Sequence, residues 1–368
     1  MKFLHTADWQ IGMKADFVGN ASQTVRDERL AAGKRVVDAA NEEAAEFILI
    51  AGDLFEDNAV ERTLIQRIVD ILARFHGPVY LIPGNHDPLV PGSVWGHPAW
   101  RSAQNLVVLT EAKPVEIPGG ILFPCPVLDK YSRKNPTAWI TEEPGDAIRL
   151  ALAHGNVEGL PQVDPDHPIS RNAVQRAGLD YLALGHWHSA ATYPDSKGSV
   201  RMAYSGTHET ARFGERDSGH AIVVEIAAPG APPDVRPIQT GRLRWQILES
   251  EIGTPGDLRA LRRNLEGIDS PEILLLDLRL KGVLYSEEKE DFFHIEDLIA
   301  SRFLYGRIEA SQLFPSPEDA RWIESLPSGI FQEVAGRLHE MTLTGGREAE
   351  TASRALLELY AIIGEGLR

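Results

Sequence analysis

At 368 residues, with 43% hydrophobic and 24% charged side chains, the chain has the composition of a globular protein with a sizeable core, and its length favours a large and a small domain over one. Its single cysteine, Cys125, excludes an intramolecular disulfide and any thiolate metal cluster. The formal net charge of -16 argues against strong unaided binding to long duplex nucleic acid, because such binding draws most of its affinity from cationic contacts to phosphates.

The opening residues, MKFLHTADWQ, already carry polar side chains and lack a basic segment followed by a long apolar one, so no secretory signal is expected. Lys2–Thr6, Phe47–Ala51 and Val79–Pro83 read as buried strands, each ending in a polar loop. Between them, Arg26–Glu46 and Ala59–Phe75 carry apolar residues at helical spacing. That alternation predicts a layered α/β core, with ligand loops after the C-terminal ends of the strands. From Ile148 the pattern repeats. Ile148–Ala153 is a strand ending at His154, and Tyr181–Leu184 a strand ending at Gly185. Val200–Ser205, Ala221–Ile226 and Val235–Gln239 read as successive strands of a second sheet, with Ala227–Asp234 a turn or surface loop. Beyond Gly241, a helix at Pro255–Leu265, a strand at Glu272–Leu280 and a helix at Ser286–Arg302 predict a small α+β domain. The tail reads as helical over Phe331–Met341 and again over Arg347–Ile363, where Leu356, Leu357, Leu359, Tyr360, Ile362 and Ile363 make it markedly apolar. No apolar run reaches bilayer-spanning length, and a cytoplasmic location without membrane contact is expected.

Five polar clusters follow strand-like runs: Asp8-Trp9-Gln10, Gly52 to Asp57, Gly84-Asn85-His86-Asp87, His154-Gly155-Asn156, and Gly185-His186-Trp187-His188. A lone strand-end Asp is usually a cap or turn residue, and a lone His usually makes an ordinary hydrogen bond. Together, these clusters would bring carboxylate, amide and imidazole donors to one sheet edge. That donor chemistry suits manganese, zinc or iron, and the glycines allow close approach of a phosphate.

The order D-x-Q, G-D-L-F-E-D, G-N-H-D, H, G-H-x-H resembles the motifs of calcineurin-like metallophosphoesterases, and more narrowly those of SbcD-type DNA repair nucleases. HTADWQIG at His5–Gly12, GDLFEDN at Gly52–Asn58, PGNHD at Pro83–Asp87 and YSGTHETARFGE at Tyr204–Glu215 carry the likeness, the last being the most discriminating. It covers residues 1–240 strongly; the region after them matches in position and pattern only.

The resemblance implies a four-layer α/β/β/α sandwich over residues 1–240, a capping or DNA-recognition domain over 241–312 and a C-terminal helical segment over 313–368. It implies two divalent ions, with Mn²⁺ favoured and Mg²⁺, Fe²⁺ or Zn²⁺ as alternatives. Asp53 would bridge them. One ion would take Asp8, His188 and the position of Gln10, the other Asn85, His154 and His186. His86 would donate a proton to the leaving alkoxide or stabilise charge on the phosphate, with Asp53 and Asp87 completing the catalytic group. Glu56, His208 and Arg212 are candidate substrate contacts, although a turn hydrogen bond is an equal reading for His208. Asp87 and Asp57 are also expected to orient neighbouring ligands, and His5 and Trp9 to pack; His97, His167 and His294, without motif context, are placed on the surface.

Two positions depart from the family pattern. Gln10 stands where the family has His, offering a weaker amide donor, and Glu56 stands where many relatives have His. The implied function is metal-dependent cleavage of DNA, as a homodimeric nuclease subunit of an SMC-like ATPase of SbcC type, with the final apolar helix docking on that partner. Two other readings remain open: a small-nucleotide phosphodiesterase or phosphatase, and an attenuated structural or regulatory subunit.

Overall fold

Strands buried on both faces must be apolar along their whole length, and the first 243 residues supply such runs. The computed structural model describes residues 1–142, 145–159, 166–316, 321–324, 326–344, 348–349, 351–352, 355–356 and 359. The chain divides into two compact units, Met1–Leu243 and Arg244–Arg368.

In the first unit the chain runs β1 (Lys2–Thr6), α1 (Ser22–Glu42), β2 (Phe47–Ile50), α2 (Arg62–Leu72), β3 (Val79–Leu81), β4 (Leu106–Val108), β5 (Val115–Ile117) and β6 (Gly120–Cys125). It continues through β7 (Ile148–His154), α3 (Ala173–Ala177), β8 (Tyr181–Gly185), β9 (Ala191–Pro194), β10 (Val200–Tyr204), β11 (His220–Glu225) and β12 (Asp234–Gln239). One six-stranded sheet has the order β12-β11-β1-β2-β3-β4, and a second the order β5-β6-β7-β8-β10-β9. Alternate residues of each strand serve alternate layers. Phe3, Phe47 and Leu49 meet Leu150, Leu152, Tyr181 and Ala183 between the sheets. Leu4, Ile48 and Ile50 pack outward under Val36 of α1 and Ile68 and Leu72 of α2. Ala151, Ala153, Leu182 and Leu184 pack outward under Ala173 and Val174 of α3. The result is the expected α/β/β/α sandwich.

Three expectations are corrected. Val200–Ser205 does join the second sheet, but Ala221–Ile226 and Val235–Gln239 form β11 and β12 of the first sheet, where β11 pairs antiparallel with β1. Period-two alternation assigns a residue to a face, not a strand to a sheet, so the crossover after β10 was not visible. Helix α1 begins at Ser22 and ends at Glu42, four residues ahead of the predicted span at each end. Helix α2 is shorter than Ala59–Phe75.

The second unit contains β13 (Arg244–Ile252), α4 (Asp257–Glu266), β14 (Leu274–Leu284), α5 (Lys289–Arg302), β15 (Tyr305–Pro315), α6 (Arg321–Glu324) and α7 (Ile330–Thr342). Its three strands are parallel, so a β-α-β-α-β order replaces the α+β arrangement expected. The sequence reading recognised β14 but neither flanking strand. Leu274, Leu276, Leu278 and Leu280 of β14 form the core with Leu258, Leu261, Ile295 and Ile299 of the two helices. The predicted helix Arg347–Ile363 lies mostly outside the described residues, including Leu357, Tyr360, Ile362 and Ile363; Leu356 and Leu359 pack with Ala335 and Leu338. No helix among the described residues is long and apolar enough to cross a membrane.

Candidate metal centre

Strands β1, β2 and β3 are mutually parallel, as are β7 and β8, so within each sheet these strand ends share one edge. The loop after β1 is stitched to the loop after β2: the N–H groups of Asp8 and Gln10 donate to the carbonyls of Gly52 (3.2 Å) and Asp53 (2.9 Å). Asp8, Gln10, Asp53 and His186 all adopt positive φ (56°, 40°, 50° and 108°). For residues with a Cβ this conformation costs on the order of 1–3 kcal/mol each, so surrounding contacts must hold it. Close approach also demands glycine at two points. A Cβ on Gly84 would lie 2.1 Å from Asp53 Oδ1, and one on Gly185 would lie 1.9 Å from the Ala51 carbonyl oxygen.

Four candidate donors form one nest. Asn85 Oδ1 lies 2.8 Å from His154 Nε2 and 2.7 Å from His186 Nδ1, and Asp53 Oδ2 lies 3.3 Å from His154 Nε2. Donor atoms of Asp53, His154 and His186 all fall within 4.8 Å of one another. His154 Nδ1 lies 2.8 Å from the Ala51 carbonyl; donating there turns the Nε2 lone pair into the nest. Asp8 borders it, its carboxylate oxygens accepting from the His186 N–H at 3.0 and 3.1 Å. His188 stands on the Asp8 side, its Nδ1 held 2.9 Å from Glu215 Oε1.

The electrostatics are those of a buried, crowded cluster. Burial raises the Asp8 carboxyl to about 6, helped by the Asp53 charge and opposed by the charges of His154 and His188. Burial and the Asp53 charge raise Asp87 to about 7. Burial alone would raise Asp53 too, but the His154 charge and hydrogen bond hold it well below the usual carboxylate range. Burial and the His154 charge lower His186 to about 3. Gln10 is 1% exposed and its Oε1 has no hydrogen-bond partner among the described residues. An orphaned amide oxygen beside buried carboxylates and imidazole nitrogens is a donor set that fits a divalent cation.

His86 sits at the mouth, half-buried. Its N–H donates to Asp53 Oδ1 (2.8 Å), Nδ1 meets the Glu56 carbonyl (2.9 Å), and Nε2 lies 3.5 Å from Gln10 Nε2. Asp87 is fully buried and both its oxygens are taken by backbone N–H groups, of Phe55 (2.9 Å) and Gly84 (2.7 Å). It braces two ligand loops, the orienting role expected of it, and has neither oxygen free to act as a catalytic group. Glu56 is half-buried with Oε2 unpartnered among the described residues, and Arg212 is exposed. His208 does not reach substrate. It is fully buried, stacks on Trp9 at 4.6 Å and bonds the Arg29 carbonyl through Nε2 at 2.8 Å. Asp57 is exposed and bonds the Ala59 N–H of its own loop. His167, expected on the surface, is 4% exposed. His5 packs as expected, 3.1 Å from both the Tyr181 hydroxyl and the Leu184 carbonyl.

A model of the calcineurin-like phosphoesterase family matches residues 1–190. The chain belongs to that family. A Bacillus subtilis (strain 168) protein described as the uncharacterized metallophosphoesterase YhaO is 24% identical over 238 residues, 61% of this chain and 57% of the relative, so the chain spans little more than half of that relative's length. Among solved structures, TT1561 of Thermus thermophilus is 12% identical with a TM-score of 0.43, covering 65% of this chain and 98% of its own. Vps29 of Entamoeba histolytica, crystallised with Zn²⁺, is 14% identical with a TM-score of 0.31, covering 65% and 99%.

Two residues that support the centre escaped sequence reasoning. Arg29 of α1 is 1% exposed, and its guanidinium donates to the carbonyls of Trp9 (3.0 Å), Asp8 (3.2 Å) and Glu209 (2.8 Å) and to Thr207 Oγ1 (3.3 Å). It clamps the strained Asp8–Gln10 loop onto the Thr207–Glu209 turn. The signal was present: Arg29 falls on the buried stripe of Val25, Gly33, Val36 and Ala40. Glu215 holds His188 and also accepts from the N–H of Ala211 (2.7 Å) and of Arg212 (3.3 Å). It closes the Tyr204–Glu215 segment already singled out by its motif.

Proposed function

We propose that this phosphoesterase cleaves phosphodiester bonds of DNA, as the nuclease partner of an SMC-like ATPase. The carrying observation is the hydrogen bond from His188 to Glu215. It builds the end of the Tyr204–Glu215 segment, the part of the sequence most like SbcD-type nucleases, directly into the donor cluster.

Asp53, Asn85, His154 and His186 would hold one divalent ion, and Asp8, Gln10 and His188 a second, with Asp53 between them. Bound there, such ions supply Lewis-acid polarisation of the phosphoryl group and activation of water near neutral pH. The remaining work belongs to the chain. The Ala51 carbonyl orients the His154 ring, and Glu215 the His188 ring, so neither has to reorient. Asp87 and Arg29 keep the ligand loops in their strained conformations without solvent relaxation. His86, anchored through Nδ1 at Glu56, presents Nε2 toward the mouth, and in its protonated form would donate to the leaving oxygen. Manganese as the native ion, homodimerisation and docking of the C-terminal helical segment on the ATPase belong to the same proposal.

The test offers purified protein with Mn²⁺ single-stranded DNA, hairpin DNA and bis-p-nitrophenyl phosphate. DNA cleavage abolished by Asp53→Ala and strongly reduced by His86→Ala is the expected result. Hydrolysis of the small ester alone would replace the nuclease reading with a small-nucleotide phosphodiesterase. Inactivity with every metal, with or without an ATPase partner, would leave an attenuated regulatory subunit.

A further inference from the structure

Leu128–Lys134 plays no part in the centre described above. The segment reads Leu-Asp-Lys-Tyr-Ser-Arg-Lys and carries three cations against one carboxylate, on a chain of net charge -16. Tyr131 is 74% and Leu128 54% exposed, and Lys130, Arg133 and Lys134 are exposed beside them. The Lys130 ammonium lies 5.9 Å from the Tyr131 ring centroid. Among the described residues none of the three cations forms an ion pair. A large aromatic ring is normally buried, so its display beside three unpaired cations is the feature that calls for an explanation.

Both sides of the loop are tied to the segments that carry the candidate ligands. At its start, the Val127 N–H donates to the Pro83 carbonyl (3.1 Å) and the Leu89 N–H donates to the Val127 carbonyl (2.9 Å), on either side of Asn85, His86 and Asp87. Further on, the Ser132 N–H donates to Asp166 Oδ1 (2.8 Å), and the Ser132 carbonyl accepts from the His167 N–H (2.7 Å). The His167 carbonyl in turn accepts from the N–H of Asn156 (3.2 Å), two residues beyond His154. The loop is therefore bonded to the segments bearing Asn85 and His154, two members of the donor nest.

We propose that Leu128–Lys134 receives an unpaired polynucleotide strand beside the centre, Tyr131 stacking on a base while Lys130, Arg133 and Lys134 meet successive phosphates. The assignment rests on the nucleic-acid reading above and narrows it to single strands. Only an unpaired base offers its face to a side chain at a loop tip; in a duplex both faces are covered by neighbouring pairs. Local positive charge on an acidic chain also places the strand at this edge rather than elsewhere on the surface.

The experiment measures binding of fluorescein-labelled oligothymidylate to the full chain in EDTA, by anisotropy over a range of salt concentrations. In parallel, Mn²⁺-dependent hydrolysis of bis-p-nitrophenyl phosphate and the thermal midpoint are recorded. Tyr131→Ala is expected to weaken binding roughly ten-fold. The triple variant Lys130→Ser/Arg133→Ser/Lys134→Ser is expected to lower the slope of log affinity against log salt by about 2, for three phosphate contacts on a single strand. Small-ester hydrolysis and the thermal midpoint stay at wild-type values in both. Unchanged oligothymidylate affinity and salt slope in both variants overturn the loop assignment while leaving the nuclease reading standing. Small-ester hydrolysis by a wild type that binds no oligothymidylate overturns both readings. An equal fall in binding, small-ester hydrolysis and thermal midpoint also overturns the assignment, because the loop would then be holding the fold.

Discussion

Replacing Glu215 by alanine tests whether a metal-ligating role for His188 depends on the carboxylate behind it. Glu215 does two jobs: Oε1 takes the His188 Nδ1–H at 2.9 Å, and Oε2 takes the N–H groups of Ala211 and Arg212 at 2.7 and 3.3 Å. Without it, the imidazole is free to rotate and to protonate Nε2, the nitrogen left for a metal. Outer partners of this kind are typically worth 10- to 100-fold in metal affinity, or about 1.4–2.7 kcal/mol. Glutamine restores the bond only partly. Its amide oxygen satisfies His188 or Ala211 but not both, and its NH₂ then faces a donor, a mismatch costing on the order of 1–3 kcal/mol. The assay is titration calorimetry with Mn²⁺ on the full chain, for wild type, Glu215→Ala, His188→Ala and the double variant. The expected outcome is a 10- to 100-fold loss at one class of site in Glu215→Ala, and no further loss in the double variant beyond His188→Ala alone. Additive losses would refute the argument, because Glu215 would then act through something other than His188.

Two further outcomes follow from buried groups. Arg29→Met keeps much of the side-chain volume but removes the cation that bonds three carbonyls and Thr207. Urea unfolding is expected to show a loss of roughly 2–4 kcal/mol, since each buried acceptor left without its donor costs about 1–3 kcal/mol, and a loss under about 1 kcal/mol would rule out the clamp. Burial holds His5 neutral and lowers it to about 3, against an ordinary value of 6.5. Between those values the unfolded chain takes up a proton that the folded chain does not, so this contribution is intact above pH 6.5 and declines as pH falls toward 3. The decline is about 1.4 kcal/mol per pH unit, or about 2 kcal/mol by about pH 5. His5→Gln, which does not titrate, should show a stability difference between about pH 7 and about pH 5 smaller by that amount, and identical differences would refute the assignment.

The first two-thirds of the chain could be read locally because its layers impose local signatures. Phe47–Ile50 and Ile148–His154 are apolar at almost every position since both faces are covered, and a polar loop follows each because the sheet edge opens there. Asp8, Asp53, Asn85, His154 and His186 were therefore legible as strand-end donors without coordinates. Other features needed the assembled fold. Nothing within Ala221–Ile226 says that it lies against Lys2–Thr6, because antiparallel pairing across more than two hundred residues leaves no mark on the spacing of either strand. Nor does sequence say whether a carboxylate reaches a metal or a backbone amide. The motif allows Asp87 to be either a reactive or an orienting group, and His208 either a substrate contact or a turn residue; the bonds to Phe55 and Gly84 and the stacking on Trp9 decide between them. Which donors the strand ends carry, and in what order, is written in the sequence. Which of them converge, and that Arg29 and Glu215 hold them, is settled by the folded chain, because convergence depends on distances across sheets and loops that no local pattern encodes.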